Sequence, residues 1–337
     1  MSKTTVSAPA NIAFIKYWGA HDLDRALPMN SSLSMTLEHC VTQCTVEPLG
    51  HAGEDEIWLS EPDGGFGSPH PEFAQRMRAH LDRLRQWAGR QDSLRVATRN
   101  TFPTAGGLAS SASGFAALTL AAAGALGKKA SPKELSLLAR RSGSGSACRS
   151  VFGGFVEWTA PQGNGDREAE SYARQIADAE HWDLRDVIAV VEIGPKTVSS
   201  IEGHRRAPSS PYYAKRQELL PQRLEAVRRA IRARDLAALG PLIEEEAVDL
   251  HLIAMSSQPP IFYWSPGTIA VLRAVRELRQ EGLAAWATMD AGANVHVLCD
   301  EDSEDEVADR LEDLPAVGFV IRDGVGAGPD LETEHLF

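Results

Sequence analysis

The chain has 337 residues, of which 43% are hydrophobic and 24% charged, and this composition indicates an ordinary globular protein large enough for two lobes. Its formal net charge of −12 argues against nucleic acid or an anionic membrane as the main partner, because both select basic surfaces. An anionic small-molecule substrate would therefore need a local positive pocket within an acidic protein.

The cysteine content and the lack of long apolar runs narrow the class of protein further. The four cysteines are too few and too scattered for a disulfide scaffold, and Cys40 and Cys44 have no second ligand pair that would complete a zinc site. The N-terminal residues lack the apolar core of a signal peptide, and the longest apolar run, residues 115–126, is short of the ~20 residues that a membrane span requires. We therefore expect a cytoplasmic enzyme or binding protein.

The first informative segment is a strand over residues 12–18 that ends in Lys16, Tyr17 and Trp18. A lysine in an apolar strand either guards a sheet edge or is a cation held in a cleft. Residues 28–37 are predicted as a turn and a strand that alternates Ser or Thr with Leu or Met. Residues 41–46 are predicted as the partner of that strand, which favours a mainly antiparallel sheet.

Glycine, proline, aspartate and histidine dominate residues 50–71, which indicates a mobile lid around one short strand. Ser131, Pro132 and Glu134 mark the start of a later helix, because Ser at N-cap, Pro at N1 and Glu at N3 form a capping box. The other elements predicted here are a strand over residues 57–59, an arginine-rich amphipathic helix over 73–87 and a strand over 94–98.

Residues 103–113 form a loop of small residues in front of an apolar helix. The adjacent glycines Gly106 and Gly107 let the main chain approach a ligand closely, and the residues after them leave amide groups uncovered. The helix is expected to begin near Ser110 or Ser111, so that its free amides and positive dipole end would bind a polyphosphate. The loop matches neither the P-loop nor the Rossmann pattern. The alternative is a glycine turn that caps a buried alanine-rich helix.

A second Gly/Ser tract, residues 142–150, carries Ser144, Ser146 and Arg149 and precedes a strand over residues 155–158. Such tracts are common as flexible linkers, but this one is too short to connect domains and leads directly into an arginine. Hydroxyl groups, amides and a fork-shaped guanidinium together suit a doubly anionic ligand.

After Trp182 a new series of predicted strands and helices begins, which indicates a second lobe with a split βαβ layout. Asp290 lies in a tight turn between two short strands. Residues 196–203 are predicted as a polar loop, and Ser303 with Glu306 as a capping box. The other elements of this lobe are predicted as strands over residues 187–193, 284–289, 295–298 and 319–321 and as helices over 213–234, 236–255, 266–280 and 303–314, the third of them capped by Ser265.

Several of these segments resemble the motifs of one enzyme family. The three motifs of the GHMP small-molecule kinases are matched in order and spacing by residues 9–19, 103–113 and 289–294. Strings similar to the mevalonate diphosphate decarboxylase family are KYWG at residues 16–19, SGSACRS at 144–150, GGFVEW at 153–158 and MDAG at 289–292. The resemblance extends over nearly the whole chain.

The resemblance implies an α+β GHMP kinase fold of two lobes around a deep cleft. The expected lobes are an N-terminal ATP-binding lobe at 1–184 and a ferredoxin-like C-terminal lobe at 185–337. It also implies ATP and Mg²⁺ as cofactors, a phosphorylated hydroxy acid as substrate, and a homodimer.

Members of this family phosphorylate a tertiary 3-hydroxyl with ATP and then release that phosphate and carbon dioxide to leave a terminal alkene. By resemblance, Asp290 would accept or orient the hydroxyl proton, Lys16 would keep that carboxylate ionised, and Arg149 would bind the C1 carboxylate. Further substrate contacts are expected from Asn11, Tyr17, Trp18, His21, Arg76, Ser144, Ser146, Ser199 and Ser200. Nucleotide contacts are expected from Gly106, Gly107, Leu108, Ala109, Ser110 and Ser111, with the Ser111 hydroxyl as a magnesium ligand.

The chain departs from the family pattern after the first motif, which usually reads KYWGK, because Ala20 stands in the place of the lysine. Ile201 and His204 also stand where Arg or Thr and Met are usual. Each lost charge-assisted contact removes roughly 1.5–3 kcal/mol, which leaves the distal phosphate of a 5-diphosphate poorly matched. We therefore expect mevalonate 5-phosphate as the substrate and isopentenyl phosphate as the product, with the ordinary 5-diphosphate as the alternative. Other classes left open are a 3-kinase that stops at phosphorylation and a non-catalytic ATP-binding sensor.

Overall fold

The computed structural model describes residues 3–61, 64–103, 110–161, 167–194 and 196–337. In these ranges the chain forms two main sheets with helices packed against them. The strands are β1 (Thr4–Ile15), β2 (Ala20–Asp22), β3 (Leu27–Pro28), β4 (Ser32–Pro48), β5 (Glu56–Ser60), β6 (Phe66–Gly67), β7 (Leu94–Asn100), β8 (Phe155–Trp158), β9 (Ala173–Ala177), β10 (Arg185–Val190), β11 (Ala285–Thr288), β12 (Val295–Cys299), β13 (Phe319–Asp323) and β14 (Asp330–Glu332). The helices are α1 (Pro71–Ala88), α2 (Ser110–Ala125), α3 (Pro132–Arg140), α4 (Arg167–Glu170), α5 (Ser200–Arg206), α6 (Tyr213–Ala233), α7 (Leu236–Ser256), α8 (Pro266–Gln280) and α9 (Glu304–Glu312).

The larger sheet contains eight strands of the described chain, in the order β14-β1-β4-β7-β5-β6, with β8 and β9 attached through β4. Its neighbouring strands are antiparallel apart from β5 and β7, which run parallel. The smaller sheet has the order β11-β12-β10-β13 and is antiparallel. Strand β14 pairs with β1, so the end of the chain returns to the first sheet. The expected antiparallel architecture is therefore confirmed.

Helix α2 is buried on most of its sides, which explains why its sequence has no polar face. Phe115 and Leu118 of this helix pack in one core with Leu81 and Leu84 of α1 and Val96 of β7. This packing fixes α2 against the larger sheet, with its first described residue, Ser110, at the end where a ligand was expected. Another core lies between the smaller sheet and helices α8 and α9, with Val271, Val275, Val297 and Val307 among its members.

The expectation that residues 28–37 and 41–46 form two paired strands is wrong, because residues 32–48 are one continuous strand, β4. The segment between them offers no glycine, proline or asparagine to reverse the chain. Instead, the carboxylate of Asp323 accepts hydrogen bonds from the main-chain amides of residues 38–40 at 2.7 to 3.0 Å. Most of β4 pairs with β1.

Two local predictions in the second half are also wrong. The polar loop expected at residues 196–203 ends early, because α5 begins at Ser200 and the Ser199 hydroxyl caps it by accepting the Glu202 amide at 3.2 Å. Ser303 makes no capping hydrogen bond to α9 through its side chain. Its own amide is bound at 3.0 Å by the carboxylate of Asp300, which caps the short turn before the helix.

Other helix boundaries follow the sequence closely. The capping box of α3 is confirmed, since the Ser131 hydroxyl accepts the Glu134 amide at 3.3 Å and the Glu134 carboxylate accepts the Ser131 amide at 2.9 Å. Helix α8 has the predicted bounds, and the Ser265 hydroxyl caps it. Within the described ranges, no helix combines the length and the apolarity that crossing a membrane requires.

Candidate functional site

A cleft of about 380 Å³ brings together residues from both halves of the chain. It lies at the end of β1, beside the first turn of α2 and the turn that carries Asp290. The residues expected at substrate or nucleotide that line it are Lys16, Tyr17, Trp18, Arg76, Ser111, Ser144, Ser146, Arg149, Ser199, Ser200 and Asp290. Gly106, Gly107, Leu108 and Ala109 lie outside the described residues.

Lys16 and Asp290 form an ion pair at the floor of the cleft. The Lys16 ammonium donates to the Asp290 carboxylate at 2.8 Å and to the carbonyl of Ala13 at 2.6 Å. Lys16 is only 1% exposed and follows β1, which has neighbours on both sides, so the sheet-edge alternative for this lysine is wrong. The Asp290 side chain is 25% exposed and faces the cleft.

The pair keeps the Asp290 carboxylate ionised. Burial lowers the pKa of Lys16, although the charge of Asp290 opposes that change. Burial would raise the pKa of Asp290, but the charge and hydrogen bond of Lys16 outweigh it, and the pKa lies below the usual value. A carboxylate that is ionised at neutral pH and open to the cleft can accept a proton from a ligand hydroxyl.

Arg149 is a buried cation held by neutral groups. Its Nε and Nη2 donate to the side-chain carbonyl of Asn11 at 3.1 and 2.9 Å, and its Nη1 donates to the Ser32 hydroxyl at 2.6 Å. Asn11 in turn donates to the Ser150 hydroxyl at 2.8 Å, which fixes the orientation of its amide. Burial lowers the pKa of Arg149, yet a guanidinium still stays charged at neutral pH. This geometry leaves Arg149 ready to bind an anion in the cleft.

The second Gly/Ser tract folds against the start of α2. The Ser144 hydroxyl lies 3.2 Å from that of Ser111 and 3.5 Å from that of Ser146. Residues 145–148 form a short helical turn in which Cys148 is buried, so the linker alternative for this tract is wrong. The turn gathers three hydroxyl groups at one side of the cleft.

The KYWG motif has a structural reason for its glycine. Gly19 has φ +90°, and a Cβ there would lie 1.9 Å from the Tyr213 hydroxyl oxygen. Its amide donates to Nδ1 of His204 at 3.0 Å, and the rings of His204 and Tyr17 lie 4.0 Å apart. Burial lowers the pKa of His204 to about 3, so this histidine is neutral and supports the motif.

Some expected contacts fall elsewhere. His21 is exposed on the hairpin of β2 and β3, and neither it nor Ala20 lines the described cleft. The structure therefore does not bring His21 to the site, although Leu23, Asp24 and Ala26 of the same hairpin line the cleft. Ser199 lines the cleft, but its hydroxyl also caps α5.

Three further cations line the cleft and were not predicted as site residues, namely Arg83, Arg141 and Lys196. Burial lowers the pKa of Lys196, and the charge of Asp290 opposes that change. Arg83 follows Arg76 by seven residues, two turns of one helix, and this spacing was the available signal. The basic residues of the cleft are Lys16, Arg76, Arg83, Arg141, Arg149, Lys196 and Arg205, against the acids Asp24 and Asp290. The cleft thus has the positive pocket that an anionic substrate needs in an acidic protein.

Both halves of the chain match known family models. Residues 8–173 match the diphosphomevalonate decarboxylase-like N-terminal domain, and residues 186–318 match the mevalonate 5-diphosphate decarboxylase C-terminal domain. The diphosphomevalonate decarboxylase of Candida albicans is 35% identical over 366 residues, covering 100% of this chain and 99% of that protein. The diphosphomevalonate decarboxylase of Bos taurus is 37% identical over 314 residues, covering 89% of this chain and 77% of that protein.

Solved structures are similar over almost the whole chain. The mevalonate diphosphate decarboxylase of Staphylococcus aureus has a TM-score of 0.90 at 33% identity, with 98% of each chain covered. That of Enterococcus faecalis, described with mevalonate diphosphate mediated ATP binding, has a TM-score of 0.87 at 35% identity and the same coverage. A complex described as MDDEF with MVAPP, AMPPCP and magnesium has a TM-score of 0.88 at 36% identity.

Proposed function

The chain belongs to the mevalonate diphosphate decarboxylase family and has its α+β GHMP kinase fold, and from this we propose that it is an ATP-dependent carboxy-lyase. The proposed reaction converts mevalonate 5-diphosphate and ATP to isopentenyl diphosphate, ADP, phosphate and carbon dioxide. The observation that carries this proposal is the Lys16–Asp290 ion pair in the same cleft as the buried cation Arg149.

Asp290 would act as the base in the phosphorylation step. Its carboxylate takes the proton of the 3-hydroxyl as that oxygen forms a bond to the terminal phosphoryl group of ATP and ADP leaves. Lys16 holds the carboxylate ionised and places a positive charge next to the transferred phosphate. Positioned proton transfer of this kind typically contributes about 10²–10⁴-fold to a rate.

Arg149 would hold the C1 carboxylate during elimination. When the 3-phosphate leaves with its bonding electrons, the electrons of the C1–C2 bond form the alkene and C1 departs as carbon dioxide. Asn11 and Ser32 fix the guanidinium, so the carboxylate is presented in one orientation. Arg149 is only 2% exposed, and such low-dielectric surroundings strengthen this electrostatic contact.

The described residues fit a nucleotide and magnesium. Ser110 and Ser111 lie in the first turn of α2, where free amides suit phosphate oxygens. Lys196 and Arg76 add positive charge from two sides of the cleft. A hydroxyl such as that of Ser111 is an oxygen ligand of the type that magnesium accepts, and the ion would neutralise charge on the phosphates.

Mevalonate 5-phosphate is the second candidate substrate. Ala20 supplies no charge where the family motif usually has a lysine, and the apolar Ile201 lines the cleft. The relatives and solved structures described above are named for the diphosphate, and they do not support the monophosphate that the sequence alone favoured. The diphosphate is therefore the main proposal.

A substrate comparison tests both candidates. Release of carbon dioxide and formation of ADP are measured with mevalonate 5-diphosphate and with mevalonate 5-phosphate under one condition. A higher kcat/KM for the diphosphate supports the main proposal, and a higher value for the monophosphate establishes the second candidate. ADP without carbon dioxide from either substrate would identify a 3-kinase, and neither product would indicate a non-catalytic nucleotide-binding protein.

Three further features belong to the proposal. By family resemblance, residues 1–184 would form the nucleotide-binding lobe and 185–337 the second lobe, and the enzyme would be a homodimer. The scattered cysteines favour the cytoplasm as its location. Light scattering after size-exclusion chromatography tests the dimer directly, since the chain alone has a mass of 36.5 kDa.

A further inference from the structure

We propose that Arg83 and Arg141 form, together with Arg76, a phosphate-binding subsite at the edge of the cleft. The identity of its ligand rests on the proposed function. Helix α1 supplies two of these residues and the C-terminal end of α3 supplies the third. All three line the cleft that contains Asp290.

The geometry of α1 aims two guanidinium groups at the same place. Arg76 and Arg83 are seven residues apart and therefore lie on one face of the helix. A neighbouring face buries Met77, Leu81 and Leu84 in the core, which fixes the rotation of the helix. The two arginines are half-buried as a result.

Two of these arginines lack an anionic partner. Among the described residues, no carboxylate forms an ion pair within 4.0 Å of Arg76 or Arg83, although Glu72 and Asp82 on the same helix attract them from farther away. The Nε of Arg76 is buried without a hydrogen-bond partner. The Arg76 guanidinium instead lies over the rings of Phe73 and Phe115, with its carbon 5.5 and 5.2 Å from their centroids. Such packing orients the cation without neutralising its charge.

Arg141 is only weakly paired. Its Nη1 lies 3.7 Å from the carboxylate of Glu168, and that same carboxylate lies 3.3 Å from Arg25. The Arg141 side chain remains 45% exposed, so this ion pair is screened by solvent and contributes little. The Arg141 guanidinium is therefore available to bind another anion.

Arg83 and Arg141 repel each other until an anion is bound. Burial lowers the pKa of Arg83 and the nearby charge of Arg141 lowers it further, while Asp82 on the same helix opposes both changes. Arginine stays protonated at neutral pH, so the repulsion between the two cations persists in the free protein. A bound phosphate removes that repulsion and accepts several N–H groups at once, because guanidinium forks match phosphate oxygens in spacing.

The ligand class follows from the neighbouring groups. Ser111 and Ser144 line the same cleft and add hydroxyl donors that suit phosphate oxygens. Arg149 already provides the buried site for a carboxylate. The phosphate could come from two sources, the distal group of a 5-diphosphate or the phosphate chain of ATP, and the experiment distinguishes them.

The first test measures binding of inorganic tripolyphosphate by calorimetry to the full chain and to the variants Arg83→Gln, Arg141→Gln and their combination. Arg78→Gln is the matched control, because Arg78 lies on α1 but is exposed to solvent. The affinity should fall about tenfold to a hundredfold in the double variant, as expected for lost charge-assisted contacts, and should be unchanged in the control. Arg83→Lys should recover part of the loss, since it keeps the charge.

Steady-state kinetics then show whether the bound phosphate belongs to the substrate or to ATP. A raised KM for mevalonate 5-diphosphate with an unchanged KM for ATP identifies the substrate tail, and the opposite result identifies the nucleotide. Equal tripolyphosphate affinity in the wild type and the folded double variant would overturn the subsite. Because tripolyphosphate binding needs no turnover, a wild type that releases no carbon dioxide would refute the proposed reaction while leaving the subsite measurable.

Discussion

The carboxylate of Glu246 accepts a hydrogen bond at 3.0 Å from the main-chain amide of Lys16, although 230 positions separate the two residues. Arg216 donates to the carbonyl of Lys16 at 2.9 Å and also pairs with Glu246, which is fully buried. Both polar groups of the Lys16 main chain are thereby fixed from helices α6 and α7. The position of the ammonium group next to Asp290 depends on this support.

We expect Glu246→Gln to lower kcat by up to about a hundredfold, the cost of misplacing a catalytic group by roughly 1 Å. The KM for ATP should change little, because Glu246 lies behind Lys16 and does not line the cleft. Glu245→Gln is the control, since Glu245 is 68% exposed and, among the described residues, pairs with Arg223 at 3.2 Å rather than with Lys16 or Arg216. A variant that keeps full kcat and folds normally would show that Lys16 needs no such support.

Asp290→Asn should reduce formation of ADP by about 10²–10⁴-fold, because the amide cannot accept the hydroxyl proton. The fold should persist, since an amide oxygen can still accept a hydrogen bond from Lys16. A coupled ADP assay and a carbon dioxide assay measure the loss, and nucleotide binding serves as the control for folding. Retention of wild-type rates would remove Asp290 from the mechanism.

The alkaline limb of the pH profile should report Lys16. Because burial lowers the pKa of Lys16 from 10.5, kcat should fall at a pH below that value as the ammonium loses its proton. Lys16→Arg should move this limb to higher pH, whatever its effect on the maximal rate, since a guanidinium stays charged. An unchanged alkaline limb in this variant would assign the titration to another group.

The same pair affects stability at low pH. Asp290 has a lower pKa in the folded protein than its usual 3.8, so the native state binds its proton less tightly than the unfolded chain does. Its contribution to the free energy of unfolding is therefore complete above pH 3.8 and is lost as the pH falls through the lower native pKa. Urea unfolding of the wild type and of Asp290→Asn across this range should show the difference, and parallel curves would contradict it.

Local sequence patterns predicted most helices well, because their signals lie within a few residues. The capping groups Ser131 and Ser265 each bind an amide three residues away, and both helices begin as expected. Strand β4 could not be predicted in the same way, since it continues through residues 38–40 with the help of Asp323, which lies 285 positions from Glu38. A distant carboxylate leaves no mark in the local pattern.

In the candidate site, too, local motifs predicted some residues, while others depend on distant packing. Motif strings identified Lys16, Arg149 and Asp290, and the structure brings all three to one cleft. Glu246 and Arg216 were not identified, because each is one of many charged residues on a long helix and only the packing of that helix buries it. Distinguishing a buried charge from a solvated one requires the tertiary structure.

Gly19→Ala should destabilise the protein by at least about 1–3 kcal/mol, because it combines a left-handed φ with a clash against Tyr213. Gly50→Ala is the matched control, since Gly50 also has a positive φ of +76° but nothing lies within 4 Å of the added Cβ. That substitution should cost about 1–2 kcal/mol, the strain of a left-handed alanine without the clash. Thermal unfolding measures both changes, and equal losses would mean that backbone strain alone matters at Gly19.

Ala20 is the residue expected to separate the two candidate substrates. Ala20→Lys should raise kcat/KM for mevalonate 5-diphosphate relative to mevalonate 5-phosphate, because a lysine adds a charge beside the KYWG motif. Its side chain must reach back toward the cleft from the β2–β3 hairpin, so the gain should be up to about tenfold rather than the full value of a buried contact. His21→Lys is the control, as it adds the same charge on the next residue of the hairpin, whose side chain is exposed. An unchanged substrate ratio in Ala20→Lys, or an equal gain in His21→Lys, would show that position 20 does not determine the length of the phosphate tail.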